Sequence, residues 1–509
     1  MARGWWSWVV GAVACSLVAW AGPAARAARP PGMPEAGSSA LARETGVVVV
    51  GAGLAGLTTA YRLRQAGLEC VVLELADRVG GRMRTARYPE GVAAEAGLEE
   101  FWDSNPSIAL AQELGVQLEE SATAFSSFLH KGRLYAFTQD TNEAFVRSVL
   151  PPRELTGFQA WDRDMQARYA RLATRPVPAD LLALQTVSFA DWLARDRRLS
   201  PLAVALVRAM SEPEFGTSAD RISALDGIDE WHIFSGKGVG SHHVRAGNQA
   251  LAEVLADRIG RARVLTGHQV TRIHREADHV EVSALETARF ATHHFRARHV
   301  VSTMPLFRLY EVQVTPPLSA RVQEAIGTQT WGAYFTAHVV LDAAARRFWT
   351  TPGGEEILPI LTGGPLGVIY GGNTPEGDGG AHTVLNLLVT GDHAEVFNAR
   401  TGSIDEARTA IGAALEAQFK GITPHVRYMN FVRYHPRAIA SWPLGRSRFD
   451  ALSEELRRPQ GRLYLAGDFT EGTHSDGAAW SAARVVRQIC AVEGVPVPAG
   501  VPMPRGFQP

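Results

Sequence analysis

The sequence predicts an α/β fold in which a Rossmann-type dinucleotide-binding domain is interleaved with a second domain made of a mixed sheet and helices. Three patterns support this prediction. A run of four valines, Val47 to Val50, leads directly into closely spaced glycines. Helical patterns rich in arginine and leucine fill residues 131 to 225, and a strand-like alternation runs from 335 to 341.

The valine run predicts a buried parallel strand that is apolar on both faces. It is followed by Gly51, Gly53, Ala55 and Gly56. Glycines at these positions permit a sharp turn, a close approach to a pyrophosphate and tight packing of the next helix. That helix is expected to end near Gly67 and to point its N-terminal N–H groups at the phosphates.

A second strand, residues 70 to 73, ends on Glu74. At this spacing a carboxylate accepts hydrogen bonds from the ribose hydroxyls of an adenine dinucleotide. Strand, glycines, helix, strand and acidic residue therefore predict a dinucleotide site. The competing interpretation is a glycine-rich turn in some other α/β protein.

The next segment decides which dinucleotide is expected. Gly80 and Gly81 stand between Arg78 and Arg82, and here the sequence resembles the flavin amine oxidase family, whose fingerprint has such a pair after the acidic residue. The resemblance implies a GR2-like FAD domain with this segment along the FAD pyrophosphate. Two glycines permit close backbone approach, and guanidinium groups suit phosphate oxygens.

Three later segments extend the resemblance over the chain after about residue 44. Residues 92–97, followed by a helix from 106 to 114, resemble the turn beside the flavin ring. In the second segment the backbone at Val270 is implied to contact the adenine. In the closing segment Gly467 and Asp468 are implied to contact the ribityl chain, while Gly477 and Ala478 start a helix that faces the flavin pyrimidine.

The predicted domain organisation follows these segments. It comprises a signal peptide at 1–27, a linker at 28–43, FAD-binding parts at 44–130, 240–306 and 437–495, a helical substrate-domain part at 131–239, a sheet part at 307–436, and a tail at 496–509.

Composition excludes some classes of partner and predicts an export signal. The 509 residues carry 51 basic and 52 acidic side chains, so no global field favours nucleic acid. Arg3, an apolar run and an A-x-A triplet ending at Ala27 predict an exported protein, periplasmic or secreted, with a membrane anchor as the alternative if the leader is uncleaved. Cys70 and Cys490 are expected in the core. The pair His242-His243 lacks the further ligands of a metal site, and no metal is predicted.

The resemblance implies oxidation of a carbon beside nitrogen, with an imine that hydrolyses and with dioxygen or another acceptor reoxidising the flavin. The expected function is therefore an amine or amino-acid oxidase with a small amine-like substrate. A desaturase or dehydrogenase acting on a C–C bond, or a catalytically silent flavin-binding protein, are the alternatives. Monoamine oxidases tether FAD through a cysteine in the stretch just before the position of Gly467. This sequence has no cysteine in that stretch, so the FAD is expected to be non-covalent.

Three candidate catalytic residues come from the same resemblance. Thr336 stands where many members hold a lysine that bonds a water near flavin N5, and His338 is expected on the same strand face. His474 takes one position of the pair of aromatic rings that clamps the amine in some members, with Tyr434 or Trp442 on the other side.

Overall fold

The four valines form the carboxyl-terminal half of the first strand and are all buried. The computed structural model describes residues 42–121, 127–136, 142–234, 240–372, 380–399 and 404–503. The predicted signal peptide and nearly all of the linker lie outside these residues. These described residues belong to one compact unit.

The described residues form the following strands, in chain order: β1 (Arg43–Val50), β2 (Cys70–Leu73), β3 (Thr85–Arg87), β4 (Ala93–Glu95), β5 (Phe101–Trp102), β6 (Leu118–Ser121), β7 (Ser127–His130), β8 (Arg133–Ala136), β9 (Ser241–Val244), β10 (Val264–Leu265), β11 (His268–Arg275), β12 (Val280–Glu286), β13 (Ala291–Ser302), β14 (Gln313–Thr315), β15 (Thr330–Asp342), β16 (Ile360–Leu361), β17 (Val368–Gly371), β18 (His382–Thr390), β19 (Val426–Ser441) and β20 (Leu463–Leu465).

The same residues form these α-helices: α1 (Leu54–Gln65), α2 (Pro106–Leu114), α3 (Asn142–Val149), α4 (Pro152–Arg171), α5 (Ala179–Leu182), α6 (Phe189–Arg195), α7 (Pro201–Phe215), α8 (Ala224–Trp231), α9 (Gln249–Ile259), α10 (Leu306–Leu309), α11 (Ala320–Thr328), α12 (Gly391–Ala399), α13 (Ile404–Gln418), α14 (Ala451–Arg457), α15 (Asp468–Glu471) and α16 (Ser475–Glu493).

The first sheet has the order β10-β2-β1-β13-β12-β11-β14, with β20 also paired to β13. Strands β10, β2, β1, β13 and β20 run parallel, whereas β12 is antiparallel to both of its neighbours. The carboxyl ends of the parallel strands therefore meet at one edge, where ligands of α/β folds bind. The α/β class with a Rossmann-type domain is confirmed.

The second sheet has the order β19-β15-β18-β17-β16-β7-β8 among the described strands. β15 pairs antiparallel with both β18 and β19, and its odd-numbered residues pack into an apolar core with α12 and α13. Helices α3 to α8 form a separate core around Trp161 and Trp231, next to this sheet. The mixed sheet and the helical insertion of the prediction are both present.

The residues at which the chain passes from one sheet to the other differ from the predicted domain boundaries. β7 lies before residue 131, yet it pairs with β16 in the second sheet. β14 lies after residue 306, yet it pairs with β11 in the first sheet. β19 continues through residue 437 to Ser441. The sequence motifs mark cofactor contacts, whereas the boundaries depend on strand pairing with distant residues.

Two further expectations concern the core and the membrane. Cys70 and Cys490 are buried free thiols, as expected. Within the described ranges, none of the helices has the length and apolar character needed to span a bilayer.

Candidate active site

The glycine-rich turn forms an open cradle at the carboxyl edge of the first sheet. Gly51 has φ +104°, a conformation that favours glycine. A side chain on Gly53 would meet no protein atom within 4 Å, whereas one on Gly56 would lie 2.0 Å from the carbonyl oxygen of Gly51. Gly53 thus leaves space for a ligand and Gly56 serves packing of α1. Gly51, Gly53 and Ala55 line the cavity that starts here.

The second glycine pair closes on the first. Gly80 donates its backbone N–H to the carbonyl oxygen of Ala52 over 2.8 Å, and Gly80 and Gly53 form an isolated bridge. Both Gly80 and Gly81 have positive φ and line the cavity. Two backbone segments therefore approach one strip of open space, which fits a pyrophosphate.

Glu74 stands at the edge of the cavity, at the carboxyl end of β2. Its carboxylate accepts hydrogen bonds from the backbone N–H of Ala52, at 2.6 Å, and of Ala76, at 2.8 Å. These bonds fix the carboxylate without exhausting its lone pairs, so it can also accept from ribose hydroxyls. Val270 also lines the cavity, beside Gln269 and His268, and the backbone N–H of His268 donates to the carbonyl oxygen of Glu74 over 2.7 Å. The residues present fit an adenine dinucleotide.

The two arginines of the fingerprint were expected to contact phosphate, but both donate hydrogen bonds to groups of the protein. Arg82 donates to both carboxylate oxygens of Asp468 over 2.7 Å and to the carbonyl oxygen of Ala438. Arg78 donates to the carbonyl oxygens of Val79 and Gly81 and does not line the cavity. Both guanidinium groups therefore fasten loops of the site together.

The closing segment places Gly467, Asp468 and Ala478 on the cavity wall. Gly467 has φ +148°, and Ser481 accepts a hydrogen bond from its N–H at 2.8 Å. Gly477 does not line the cavity. A side chain at this position would lie 2.0 Å from the carbonyl oxygen of Gly472. Its role is the close packing of the first turn of α16.

Thr336 and His338 do not line the cavity, contrary to a direct catalytic role. Thr336 is fully buried, and its Oγ1 has no hydrogen-bond partner among the described residues. His338 lies between the hydroxyl of Tyr88, at 2.5 Å from Nδ1, and the carbonyl oxygen of Glu95, at 2.8 Å from Nε2. Burial lowers the pKa of His338 to about 4, so the ring is neutral at pH 7.

His474 lines the cavity at the N-cap position of α16. Its Nε2 is 2.6 Å from Oε1 of Glu230 on α8 and 3.8 Å from Oε2 of Glu214 on α7. Burial alone lowers the pKa of His474, but the two carboxylates and the hydrogen bond raise it to about 10. The ring is therefore an imidazolium at pH 7, and we call these three residues the helix cluster.

Glu214 carries the least compensated charge of the helix cluster. Within the described residues it accepts no side-chain or backbone hydrogen bond, and its only ion pair is the long one to His474. Burial raises the pKa of Glu214 to about 8, with Glu230 and Glu100 adding to the rise and His474 opposing it. The hydroxyl of Tyr334 donates to the carbonyl oxygen of Pro213 and fastens this end of α7 to β15.

A second acidic pair, which we call the loop pair, consists of Glu99 and Glu100 and follows Gly97. Both line the same cavity. Burial raises the pKa of Glu100 to about 7, and burial together with the charge of Glu95 raises the pKa of Glu99. The side-chain amide of Asn386 donates to Glu99.

The predicted aromatic clamp is only partly testable. Trp442 is buried, donates from Nε1 to Ser453 Oγ over 3.1 Å and does not line the cavity. The side chain of Tyr434 lies outside the described part of the chain. The cavity of about 530 Å³ is instead lined by other aromatic residues, namely Trp102, Tyr169, Trp331, Tyr334, Tyr370 and Trp480.

Sequence reasoning missed four of the glutamates that line the cavity, namely Glu99, Glu100, Glu214 and Glu230. Glu99 and Glu100 follow a recognised segment, and a charged pair two residues after Gly97 was a usable signal. Glu214 and Glu230 lie on amphipathic helices of an insertion without a motif, where an acidic residue is usually solvated. Only the packing of α7 and α8 against β15 and α16 brings them to the cavity.

The cavity also contains arginines, and most of them are paired. Arg82 pairs with Asp468, Arg308 with Glu311 and Arg448 with Asp229. Arg437 is exposed and stacks over the ring of Phe307 at 4.7 Å, without a carboxylate partner among the described residues. It is the cavity arginine best placed to receive an anion.

The adjacent histidines do not form a metal site together. His242 lies 2.7 Å from Asp103 and His243 lies 3.2 Å from Glu119, so each faces a different carboxylate. In the part of the chain that the structure describes, two other groups have ligand atoms within 4.8 Å of one another: the helix cluster, and His268 with Glu286 and His293. The second group is surface-exposed in part, and its glutamate already pairs with Arg289.

Comparison with known proteins agrees with this geometry. Residues 54–490 match the family of flavin containing amine oxidoreductases. The flavin-dependent L-tryptophan oxidase RebO of Lentzea aerocolonigenes is 26% identical, covering 88% of this chain and 98% of the relative. An L-amino-acid oxidase of Bothrops pauloensis is 24% identical, covering 86% and 87%. Wild-type putrescine oxidase bound to putrescine has a TM-score of 0.73 at 21% identity, covering 88% of this chain and 99% of that one.

The chain belongs to the flavin containing amine oxidoreductase family. The fold match to putrescine oxidase covers 88% of the chain, and the family match extends from the start of α1 into the closing helix, α16. The protein is a flavin-dependent oxidoreductase of the amine oxidase type. This confirms the class of enzyme that the sequence motifs predicted.

Proposed function

We propose that this chain binds FAD non-covalently and uses it to oxidise a small cationic amine, with dioxygen as the electron acceptor. The observation that carries the proposal is the set of carboxylates on the cavity wall. Glu99, Glu100, Glu214 and Glu230 come from three separate segments and face one space. Buried carboxylates are costly unless a cation compensates them, and an ammonium group is such a cation.

The protein's part in the reaction follows from these side chains. Bound FAD supplies an acceptor for a hydride equivalent from the carbon beside nitrogen. The glutamates attract and orient the ammonium form of the substrate, and a carboxylate oxygen of the loop pair can take its proton, because burial holds the pKa of Glu100 near 7. The aromatic residues exclude water from the reacting carbon.

An amino-acid oxidase is the second candidate function. The relatives named L-tryptophan oxidase and L-amino-acid oxidase support it, and Arg437 offers a guanidinium for a carboxylate. The glutamates of the loop pair and of the helix cluster disfavour it, because a substrate carboxylate would meet other acidic groups there.

Matched substrates distinguish the two candidates. The holoenzyme is mixed anaerobically with L-tryptophan or tryptamine, L-phenylalanine or phenethylamine, and L-ornithine or 1,4-diaminobutane, and flavin bleaching is followed. We expect the decarboxylated member of each pair to bleach the flavin at least about tenfold faster. Faster bleaching by the amino acids would establish the second candidate, and no bleaching by any donor would contradict both. Peroxide formed in air tests the acceptor.

The non-covalent state of FAD is supported by the positions of the cysteines. Neither Cys70 nor Cys490 lines the cavity, and both are buried in the core. We expect acid precipitation to release yellow flavin that co-migrates with FAD. Flavin retained in the pellet would contradict this part of the proposal.

Export to the periplasm or medium is part of the proposal and rests on the N-terminal sequence alone. Arg3, the apolar run and the triplet ending at Ala27 support cleavage near that residue. N-terminal sequencing of natively expressed protein should begin near residue 28. An intact Met1 in a membrane fraction would indicate an anchor instead.

A further inference from the structure

We propose that His268, Glu286 and His293 bind a divalent transition-metal ion, and that this ion is Zn²⁺. We call these three residues the sheet site, because each stands on a different strand of the first sheet. The sheet site takes no part in the proposed oxidation. Its ion has a structural role, because it joins β11, β12 and β13 beside the edge that fits a dinucleotide.

The strand register presents the three side chains on one face of the sheet. His268 on β11 lies directly opposite Glu286 on β12. His293 on β13 lies directly opposite Ala284, two residues before Glu286 on β12. Directly opposite residues of an antiparallel pair share a face, and so do residues two apart on one strand. Three consecutive strands therefore bring one potential metal ligand each to the same area.

The distances between these side chains suit one small cation. One ligand atom of each residue lies within 4.8 Å of those of the other two. Nε2 of His293 and Oε2 of Glu286 are 2.9 Å apart, and the ring centroids of His268 and His293 are 5.3 Å apart. Ligand atoms bound tetrahedrally to zinc are roughly 3.3 to 3.6 Å from one another. Small side-chain rotations therefore suffice to enclose the ion.

A backbone carbonyl sets the tautomer of His268. Nδ1 of this ring is 2.7 Å from the carbonyl oxygen of Thr266, which can only accept a hydrogen bond. Nδ1 therefore holds the proton, and the lone pair of the neutral ring is on Nε2, the nitrogen left to bind a metal. Among the described residues no hydrogen-bond donor reaches this Nε2. Histidines that bind metals commonly donate their other ring N–H to such a carbonyl.

Glu286 is held in place by a contact that leaves one of its oxygens to the sheet site. Its side chain is 14% exposed, and Nη1 of Arg289 contacts Oε1 at 3.0 Å. Oε2 faces Nε2 of His293. A bound ion takes the place of the proton between these two atoms, because the half-exposed ring of His293 can donate to water from Nδ1 instead. Arg289 therefore orients the carboxylate without blocking the site.

The chemistry of the three ligands favours zinc over hard cations. Zn²⁺ binds two imidazole nitrogens and one carboxylate oxygen with water in the fourth position, whereas Ca²⁺ and Mg²⁺ require mainly oxygen ligands. The helix cluster is the other group of suitable side chains in the described ranges. Burial lowers the pKa of His474 there, but Glu230 and Glu214 raise it to about 10, and metal binding requires a neutral imidazole. The sheet site is therefore the better match.

An ion at the sheet site would fix the strand end that borders the cavity. The backbone N–H of His268 donates to the carbonyl oxygen of Glu74 over 2.7 Å, and that of Gly267 donates to the carbonyl oxygen of Ala76 over 2.8 Å. Holding His268 against β12 and β13 therefore also holds the loop that follows β2. Because the unfolded chain does not keep the three ligands together, zinc should stabilise the folded state.

Calorimetric titration of the EDTA-treated, desalted holoenzyme with ZnCl₂ tests the site. We expect one Zn²⁺ per chain, which His293→Ala should bind at least about 100-fold more weakly, because loss of a partner outside the ligand set already costs about 10- to 100-fold. Glu286→Gln should weaken binding by at least about tenfold for the same reason. Excess CaCl₂ should leave the zinc affinity unchanged, and displacement of zinc by calcium would overturn the choice of ion.

His294→Ala is the matched control for His293→Ala. His294 is the next residue of β13, is exposed and faces the other side of the sheet, so this variant should bind zinc as the wild type does. No zinc binding by the wild type would overturn the proposal. Equal zinc affinity of the wild type and His293→Ala would place the ion elsewhere, the helix cluster included, and would overturn it too.

Two further measurements on the zinc-loaded holoenzyme distinguish a built site from loose surface binding. X-ray absorption at the zinc edge should show two imidazoles, with nitrogen and oxygen ligands at about 2.0 to 2.2 Å. Zinc at about a hundredfold above its dissociation constant should raise the melting temperature by roughly 2 °C or more in the wild type and in His294→Ala, but not in His293→Ala. Fewer than two imidazoles, or an unchanged wild-type melting temperature, would overturn the proposal.

Discussion

Two glycines of the first turn have different tasks, although the sequence motif treats them alike. A side chain on Gly53 would extend into open space, whereas one on Gly56 would collide with the carbonyl oxygen of Gly51. Gly53 has φ −79°, which any residue can adopt. The motif therefore combines one position kept small for the ligand with one kept small for the fold.

Substitution of each glycine by valine separates these tasks. We expect Gly53→Val to fold with a near-normal melting temperature of the apoprotein but to lose FAD, because the branched side chain fills the cradle. Gly56→Val should destabilise the fold itself by about 3 kcal/mol or more. The ratio of flavin to protein absorbance and the apoprotein melting temperature distinguish them. A flavin-loaded Gly53→Val would show that the pyrophosphate binds elsewhere.

The cavity glutamates predict an unusual pH dependence of the apoprotein. Burial raises the pKa of Glu100 to about 7 and of Glu214 to about 8, so the folded chain binds more protons than the unfolded chain above pH 4.5. By linkage the free energy of unfolding should fall as pH rises from about 5 to 8. Urea unfolding across this range measures it. The fall should be smaller in Glu214→Gln, and an equal fall in the variant would contradict the account.

At the scale of elements, the sequence predicted boundaries most accurately where residues of the same segment specify them. Helix α2 begins and ends where predicted. The side chain of Asn105 accepts a hydrogen bond from the backbone N–H of Ser107 and caps its start, and Gly115 ends it with φ +73°. Helix α16 begins at Ser475, two residues before the glycine that was expected to start it, and its N-cap residue His474 contacts Glu230 instead of making a capping hydrogen bond. The end of β19 and the pairing of β14 depend on distant strands and were not predictable locally.

One ion pair joins three elements of the flavin site. Arg82 and the backbone N–H of Ala440 at the end of β19 both donate to Asp468, which is 2% exposed. Removing one partner of such a pair leaves an uncompensated buried charge. Arg82→Met should lower the free energy of unfolding by about 2 to 3 kcal/mol, the low end because Arg82 is partly exposed.

Chemical denaturation of the Arg82→Met apoprotein measures this cost, and equilibrium dialysis measures its FAD affinity. Arg78→Met is the matched control, since Arg78 donates only to backbone carbonyls and should change stability by less than about 1 kcal/mol. Equal effects of the two variants would contradict the distinction drawn here between the two arginines.

At the scale of the whole molecule, the two sheets share one cavity that neither could form alone. The first sheet contributes the edge that fits a dinucleotide, and the second sheet with its helical insertion contributes Tyr370, Glu214 and Glu230. The cofactor half was predictable because glycine turns and an acidic strand end have fixed spacing. The substrate half was not, because residues 99, 214, 230 and 474 meet only through tertiary packing.

The charge of this shared cavity leads to a prediction about dioxygen. A cation near reduced flavin stabilises the superoxide charge that develops during reoxidation. Thr336 and His338 supply none, and Lys131 and Lys420 do not line the cavity, while Lys237 lies outside the described residues. His474 is cationic but paired with Glu230, and Arg437 is exposed, where water and salt screen its charge. We therefore expect slow reoxidation of the free reduced enzyme and faster reoxidation once a substrate-like cation is bound.

Stopped-flow mixing of photoreduced enzyme with dioxygen tests this without turnover. tert-Butylamine is a suitable cation because its carbon beside nitrogen carries no hydrogen, and tert-butanol is the neutral control of the same shape. We expect saturating amine to accelerate reoxidation by about tenfold and the alcohol to leave the rate unchanged, because only a charge stabilises superoxide. Fast reoxidation without any ligand, unaffected by His474→Gln, would show that another group of the chain supplies the charge.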